Sequence, residues 1–154
     1  MKPYLVASAA ALIVASGSRS GAVPVCELVT RQEAAAASGG AVPAGRAQVM
    51  DLPAPGRTVH TEICMYGGKV MVTRFTLGAG AAAFFHEYQQ EKAQKYDDMQ
   101  SVSGVGDEAF SAGGQLTVRK GGLALAVDVN QNLGGGAPER AAEKRLALLA
   151  VGRL

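Results

Sequence analysis

Three short clusters in this chain carry side chains able to do chemistry. His60, Glu62 and Cys64 stand at i, i+2 and i+4, which on a strand puts an imidazole, a carboxylate and a sulfur on one face; with a free thiolate such a trio could ligate a metal. His86-Glu87 begins an H-E-x-x-Q stretch in which Gln90 occupies the place of the second histidine of a zinc-protease helix, so that chemistry is missing a ligand. Gly104-Val105-Gly106-Asp107-Glu108 has two glycines of a dinucleotide fingerprint but not the third, and it leads into a strand, whereas phosphate cradles lead into a helix. Gly104 and Gly106 therefore read as turn glycines. Asp107 and Glu108 are adjacent, and neighbours on a strand point to opposite faces, which argues against a paired acid and base.

The two cysteines, Cys26 and Cys64, permit one intramolecular pairing. Their state depends on the compartment, and the N-terminus speaks to that. Met1-Lys2-Pro3-Tyr4 is a short basic start, and Leu5 to Gly17 is an uncharged, mostly apolar run, too short to span a bilayer and flanked as an export signal is. Ser20-Gly21-Ala22 places small residues where a signal peptidase reads, so residues 1–22 are expected to be a signal peptide cleaved after Ala22, with Ala15-Ser16-Gly17 as the alternative site, and 23–154 a single domain. Val23-Pro24-Val25 before Cys26 does not match a lipidation signal, so the product is expected to be exported, periplasmic or extracellular, and not lipid-anchored. In an oxidising compartment Cys26 and Cys64 form a disulfide. Closing a loop of about 39 residues stabilises the fold by roughly 4 kcal/mol. Without a C-x-x-C spacing the pair reads as structural, not redox-active.

Composition narrows the rest. The chain has 154 residues, of which 20 are Gly, with no Trp, four Phe and four Tyr, so its core must rest on Val, Leu, Ile, Met and Ala. Removing Lys2 and Arg19 with the signal leaves basic and acidic residues in balance, which gives no general attraction for nucleic acid. Neither a transmembrane span nor a cofactor is expected, and the chain is expected to be a monomer.

The elements that position these residues read as follows. Thr30-Arg31-Gln32-Glu33 is a capping box, with Leu28 and Val29 as a hydrophobic staple, and opens a short helix through Ala37 that Ser38-Gly39-Gly40 ends. From Ala41 to Arg57, with Pro43, Pro53 and Pro55, an irregular surface loop is expected. Thr58 to Tyr66 and Lys69 to Leu77 are strands, joined by Gly67-Gly68 as a two-residue hairpin turn. Val59, Thr61, Ile63 and Met65 share one face, opposite His60, Glu62 and Cys64. Ala81 to Met99 has helical spacing of Phe85, Tyr88, Tyr96 and Met99. Glu108 to Ser111, Gln115 to Arg119 and Leu123 to Val129 are three short strands with glycine-built turns. Asn130 to Gly136 reads as a flexible link, and Pro138 opens a final helix reaching about Val151. The expected order is α-β-β-α-β-β-β-α: an α+β domain with an antiparallel sheet of about five strands and helices packed on it.

Cys26-Glu27-Leu28-Val29-Thr30-Arg31-Gln32-Glu33-Ala34, then Cys64-Met65-Tyr66, then Gly104-Val105-Gly106-Asp107-Glu108-Ala109-Phe110 and Leu116-Thr117-Val118-Arg119-Lys120-Gly121 together resemble the uncharacterised secreted and lipoprotein domains of high-GC bacteria. The resemblance covers nearly all of residues 23–154. It implies an exported single α+β domain with one disulfide, and no catalytic site to carry over. The functional expectation is a non-enzymatic binding module for an envelope protein or for a small apolar ligand held between sheet and helix. The alternative is a metal-handling protein or hydrolase using His60, Glu62 and His86.

Overall fold

A computed structural model describes residues 21–130 and 136–154. The expected signal segment, but for its last two residues, and the interior of the expected flexible link lie outside the described residues. After a 3₁₀ turn at Val25–Glu27 the chain forms α1 (Arg31–Ser38), β1 (Arg46–Ala54), β2 (Arg57–Tyr66) and β3 (Val70–Thr76). It continues through a 3₁₀ turn at Gly78–Gly80 into α2 (Ala81–Lys95), then β4 (Gln100–Ser101), β5 (Glu108–Ala112), β6 (Gln115–Lys120), β7 (Leu123–Val129) and α3 (Ala137–Val151).

The seven strands make one sheet in the order β1-β2-β3-β7-β6-β5-β4, every neighbouring pair antiparallel. Two meanders, β1-β2-β3 and β4-β5-β6-β7, therefore meet along β3 and β7. The connection between them must travel from mid-sheet to the far edge. Four inter-strand steps of about 4.8 Å make about 19 Å, and the 15 residues of α2 extend about 22 Å. The helix is as long as the span it crosses.

This corrects the expected five-stranded sheet and its α-β-β-α-β-β-β-α order: two strands, β1 and β4, were not anticipated. Strand β1 lies within the stretch expected to be a loop. It is an edge strand exposed along almost its whole length, so no alternation of buried and exposed residues marks it. An edge also tolerates Pro53, because one side of the strand has no ladder to complete. Strand β4 has two residues, too few to carry a pattern. Two smaller corrections follow. Tyr66 pairs with Val70, so the β2–β3 connection has three residues, not two, and α2 ends at Lys95, short of Met99.

Alternation along the strands divides the core in two. One face carries Cys64, Tyr66, Val72, Val118, Leu125 and Val127, covered by Ala34 of α1 and by Ala142, Leu146, Ala147 and Ala150 of α3. The opposite face is covered by α2, whose Phe85 packs edge-on against Phe110 of β5 with ring centroids 5.3 Å apart. The molecule is thus three layers, with two helices on one side of the sheet and one on the other. Leu28 and Val29 are fully buried, and Thr30 makes both hydrogen bonds of its capping box with Glu33.

A disulfide joins Cys26 to Cys64, tying the 3₁₀ turn to β2 across 38 positions, with Cα atoms 5.1 Å apart. Around it the packing is tight. The hydroxyl of the buried Tyr66 reaches the Val29 carbonyl and lies 3.0 Å from that of Cys26. Gly45 passes so close that a Cβ there would stand 2.7 Å from Cys64 Sγ and 2.9 Å from Tyr66 Cε1.

Reduction of the disulfide is expected to lower unfolding free energy by about 4 kcal/mol, read as a shift of the urea midpoint with and without reductant. Gly45→Ala, which forces Cys64 or Tyr66 to move, is expected to cost about 2 kcal/mol. An unchanged midpoint in Gly45→Ala would show that the packing there can yield.

Candidate functional site

The sheet separates the residues that the sequence offered as a catalytic or metal set. His60 lies on the disulfide face of β2, directly across from Asp51 of β1, and its Nδ1 is 2.9 Å from Asp51 Oδ1. Glu62, two residues on, pairs across the strands with Arg74 of β3, whose Nη2 and Nε lie 2.5 and 2.7 Å from Glu62 Oε2. Arg74 is only 4% exposed on its side chain and also donates through Nη1 to the Val23 carbonyl at 2.6 Å, so this pair anchors the start of the domain. Cys64 is spent in the disulfide. His86 sits on α2, over the other face, with Nε2 3.0 Å from Glu108 Oε1.

His60, Glu62 and His86 are therefore not brought together. Among the described residues no three His, Cys, Asp or Glu side chains form a group that could hold a metal ion.

Asp107 and Glu108 are likewise occupied. Arg119 Nε donates to Glu108 Oε2 at 2.8 Å while its Nη1 reaches Asp107 Oδ2 at 3.2 Å, and the Gly121 amide donates to Asp107 at 2.7 Å. The Gly121 amide, then Lys120 and Arg119, lower the pKa of Asp107; Arg119 and then His86 lower that of Glu108. Gly104 and Gly106 take φ of 78° and 61°, in the left-handed region, as turn glycines do. At Gly106 a Cβ would stand 2.5 Å from the Arg119 carbonyl oxygen. The whole G-x-G-D-E stretch clamps a turn against β6 and its loop.

A feature with room for a ligand lies elsewhere. On the α2 face, that helix runs over β5, β6 and β7, and the β1-β2-β3 half of the sheet projects beyond it. A cleft of about 540 Å³ opens in the angle between them. Its floor is Val59 and Phe75, its outer wall Leu52 and Ala54 of β1, and its inner wall Phe84 and Tyr88 of α2. Phe84 and Tyr88, one helical turn apart, stack with centroids 6.3 Å apart and an interplanar angle of 10°. At the mouth Arg57 lies over the Phe84 ring, 4.9 Å from its centroid, and Glu87 and Glu91 line the helix side. Lys95 neutralises Glu91 at 2.5 Å. The surface offered is apolar and aromatic with charge of both signs at the rim.

The sequence does not reveal this cleft, because Leu52 to Pro55 read as loop in a stretch with no alternation of buried and exposed residues. The spacing of Phe84, Tyr88 and Glu91 marks a helix, but nothing in it says that a strand more than thirty positions earlier stands opposite. The sequence matches no protein-family model, and neither curated proteins nor solved structures give a match.

Two carboxyls are displaced in opposite directions. Glu33 is held at a pKa of about 2, chiefly by Arg153, whose Nη1 and Nη2 meet its two oxygens at 2.7 and 2.6 Å, with Thr30 adding to the effect. Glu143 of α3 is raised to about 8, chiefly by burial. The signs differ accordingly. The Glu33 contribution is present above the ordinary carboxylate pKa and is lost as pH falls from about 4.5 toward 2, an effect of about 2 kcal/mol after allowance for partial exposure. Glu143 opposes folding once the unfolded chain ionises, costing about 3 kcal/mol between about pH 5 and pH 8. Urea midpoints are therefore expected to peak near pH 5, with Glu33→Gln reducing the acid limb, to which Asp107 and Glu108 also contribute, and Glu143→Gln flattening the neutral one. A profile flat from pH 5 to 8 in the unaltered protein would contradict the assignment of Glu143.

Proposed function

We propose that this protein is an exported, non-enzymatic binding module whose ligand is a small apolar molecule seated in the cleft between α2 and the β1-β2-β3 half of the sheet. The observation that carries the reading is the cleft itself: about 540 Å³, walled by Leu52, Val59, Phe75, Phe84 and Tyr88. That lies within the range of about 300–1,000 Å³ over which proteins enclose small ligands. The half-buried aromatic rings of β3 and α2 that line it, Phe75, Phe84 and Tyr88, keep part of their surface in contact with water, which is otherwise a cost. A disulfide fits an oxidising, exported setting, periplasmic or extracellular, and the apparent export signal in residues 1–22 supports the same reading. The non-enzymatic reading rests on the histidines and acids the sequence offered, each of which is paired with a neighbour or, for Cys64, oxidised.

The test uses a neutral apolar probe that fluoresces on leaving water, N-phenyl-1-naphthylamine, with Ala54→Phe to fill the outer wall. Saturable binding in the unaltered protein is expected, weakened at least about tenfold in the variant, which is about 1.4 kcal/mol of lost contact, with thermal stability preserved. No saturable binding, or binding indifferent to Ala54→Phe, would overturn the reading and move attention to a protein partner.

A further inference from the structure

A second cavity, of different chemistry, lies on the disulfide face between α3 and the β4 end of the sheet. Its volume is about 340 Å³, and it is lined by Ser101, Ser103, Ser111, Arg140, Glu143 and Lys144. Glu143 is out of place by the logic of packing. It lies on the inward side of α3 with Ala142, Leu146, Ala147 and Ala150, and like them it is buried, at 0% exposure. One carboxyl oxygen, Oε1, accepts a long hydrogen bond of 3.4 Å from the Val129 amide. The other, Oε2, is buried without a hydrogen-bond partner. A buried polar atom left unsatisfied opposes folding, and an apolar residue at this position would not incur that cost. Helix packing does not account for Glu143, whereas a ligand in the adjoining cavity would complete its hydrogen bonding.

We propose that this cavity is a second binding site, for a small polar molecule bearing a carboxylate or phosphate group, with Glu143, the serine hydroxyls, Lys144 and Arg140 as its hydrogen-bonding and charge partners. Burial keeps the Glu143 carboxyl protonated to about pH 8, so at neutral pH it can donate to an anionic oxygen. Asp128 of β7 and Glu139 of α3 reinforce that displacement, and Arg140 opposes it. With Arg140 and Lys144 in the same lining, the site favours an anion over an ammonium group. The serines add neutral donors that do not depend on pH.

The experiment follows backbone amide shifts of the oxidised, isotopically labelled protein during titration with succinate, with inorganic phosphate, and with sodium chloride at matched ionic strength. Saturable shifts at Ser101, Ser111 and Lys144 are expected with succinate or phosphate and not with chloride. The tighter of the two identifies the ligand's anionic group. Succinate has both carboxylates ionised above about pH 6.5, so raising the pH to about 9 changes the protein more than the probe, and affinity is expected to fall about tenfold as Glu143 ionises. Glu143→Gln should keep binding and abolish that fall. Lys144→Ala, a change at a half-buried side chain, should weaken binding several-fold while leaving the fold intact. The proposal is overturned if no saturable shift occurs up to about 50 mM, a Kd that corresponds to only about 2 kcal/mol of binding, if chloride reproduces the shifts, if the pH dependence persists in Glu143→Gln, or if Lys144→Ala binds unchanged.

Discussion

The constraint on which this fold turns is the crossing point where Cys26, Cys64, Tyr66 and Gly45 meet. A core built largely of Val and Ala offers little apolar mass per residue, and hydrophobic stabilisation scales with area removed from water. The covalent bond between the 3₁₀ turn and β2 limits the unfolded chain's freedom and so reduces what burial alone must supply. The same bond brings the N-terminal segment over the sheet, where Tyr66 can meet the Val29 carbonyl and α1 can lie beside α3. Gly45 is part of the arrangement, because any side chain there would occupy the space of the sulfurs. Arg153 completes the closure from the other terminus, bonding both the Leu28 carbonyl and Glu33.

That closure is one-sided, and the asymmetry decides where ligands can go. Two helices and the disulfide shield one face of the sheet, while α2 alone must serve the other. A helix that carries the chain from β3 to the far edge covers the first meander at its start, where Ala81 and Phe84 pack with Val59, and leaves the rest of β1 and β2 to overhang, so that a cleft forms beside it. The cleft follows from the connection between the meanders. Its chemistry comes from the particular residues at its walls, two aromatics of α2 spaced one turn apart and the apolar side chains of β1, β2 and β3.

The polar groups tell a complementary story. His60, Glu62, His86, Asp107 and Glu108, the residues most suggestive in the sequence, face partners on neighbouring strands or on α2 and serve to set register and hold turns. Glu143, in the middle of an alanine-rich helix, carries no local signal of its burial, since a single glutamate in a helix reads as a solvated residue. Its burial depends on which side of α3 meets the sheet.

The features legible in the amino-acid order are local. The Thr30–Glu33 capping box, the alternation along β2 and β3, the strands β5 to β7 and the start of α3 follow from hydrogen bonding and side-chain geometry within a few residues, and an even pair of cysteines behind an export-like segment left one partner for each. The remaining features depend on neighbours distant in the chain. Strand β1 exists because β2 offers it a ladder, and its own residues, exposed on both faces and punctuated by Pro53, carry no pattern of burial. Cross-strand pairs such as Glu62 with Arg74 depend on register, which a shift of one residue would reverse. The separation of His86 from His60, the overhang that opens the cleft and the burial of Glu143 all depend on which face each helix covers, a choice made by the packing of the whole sheet.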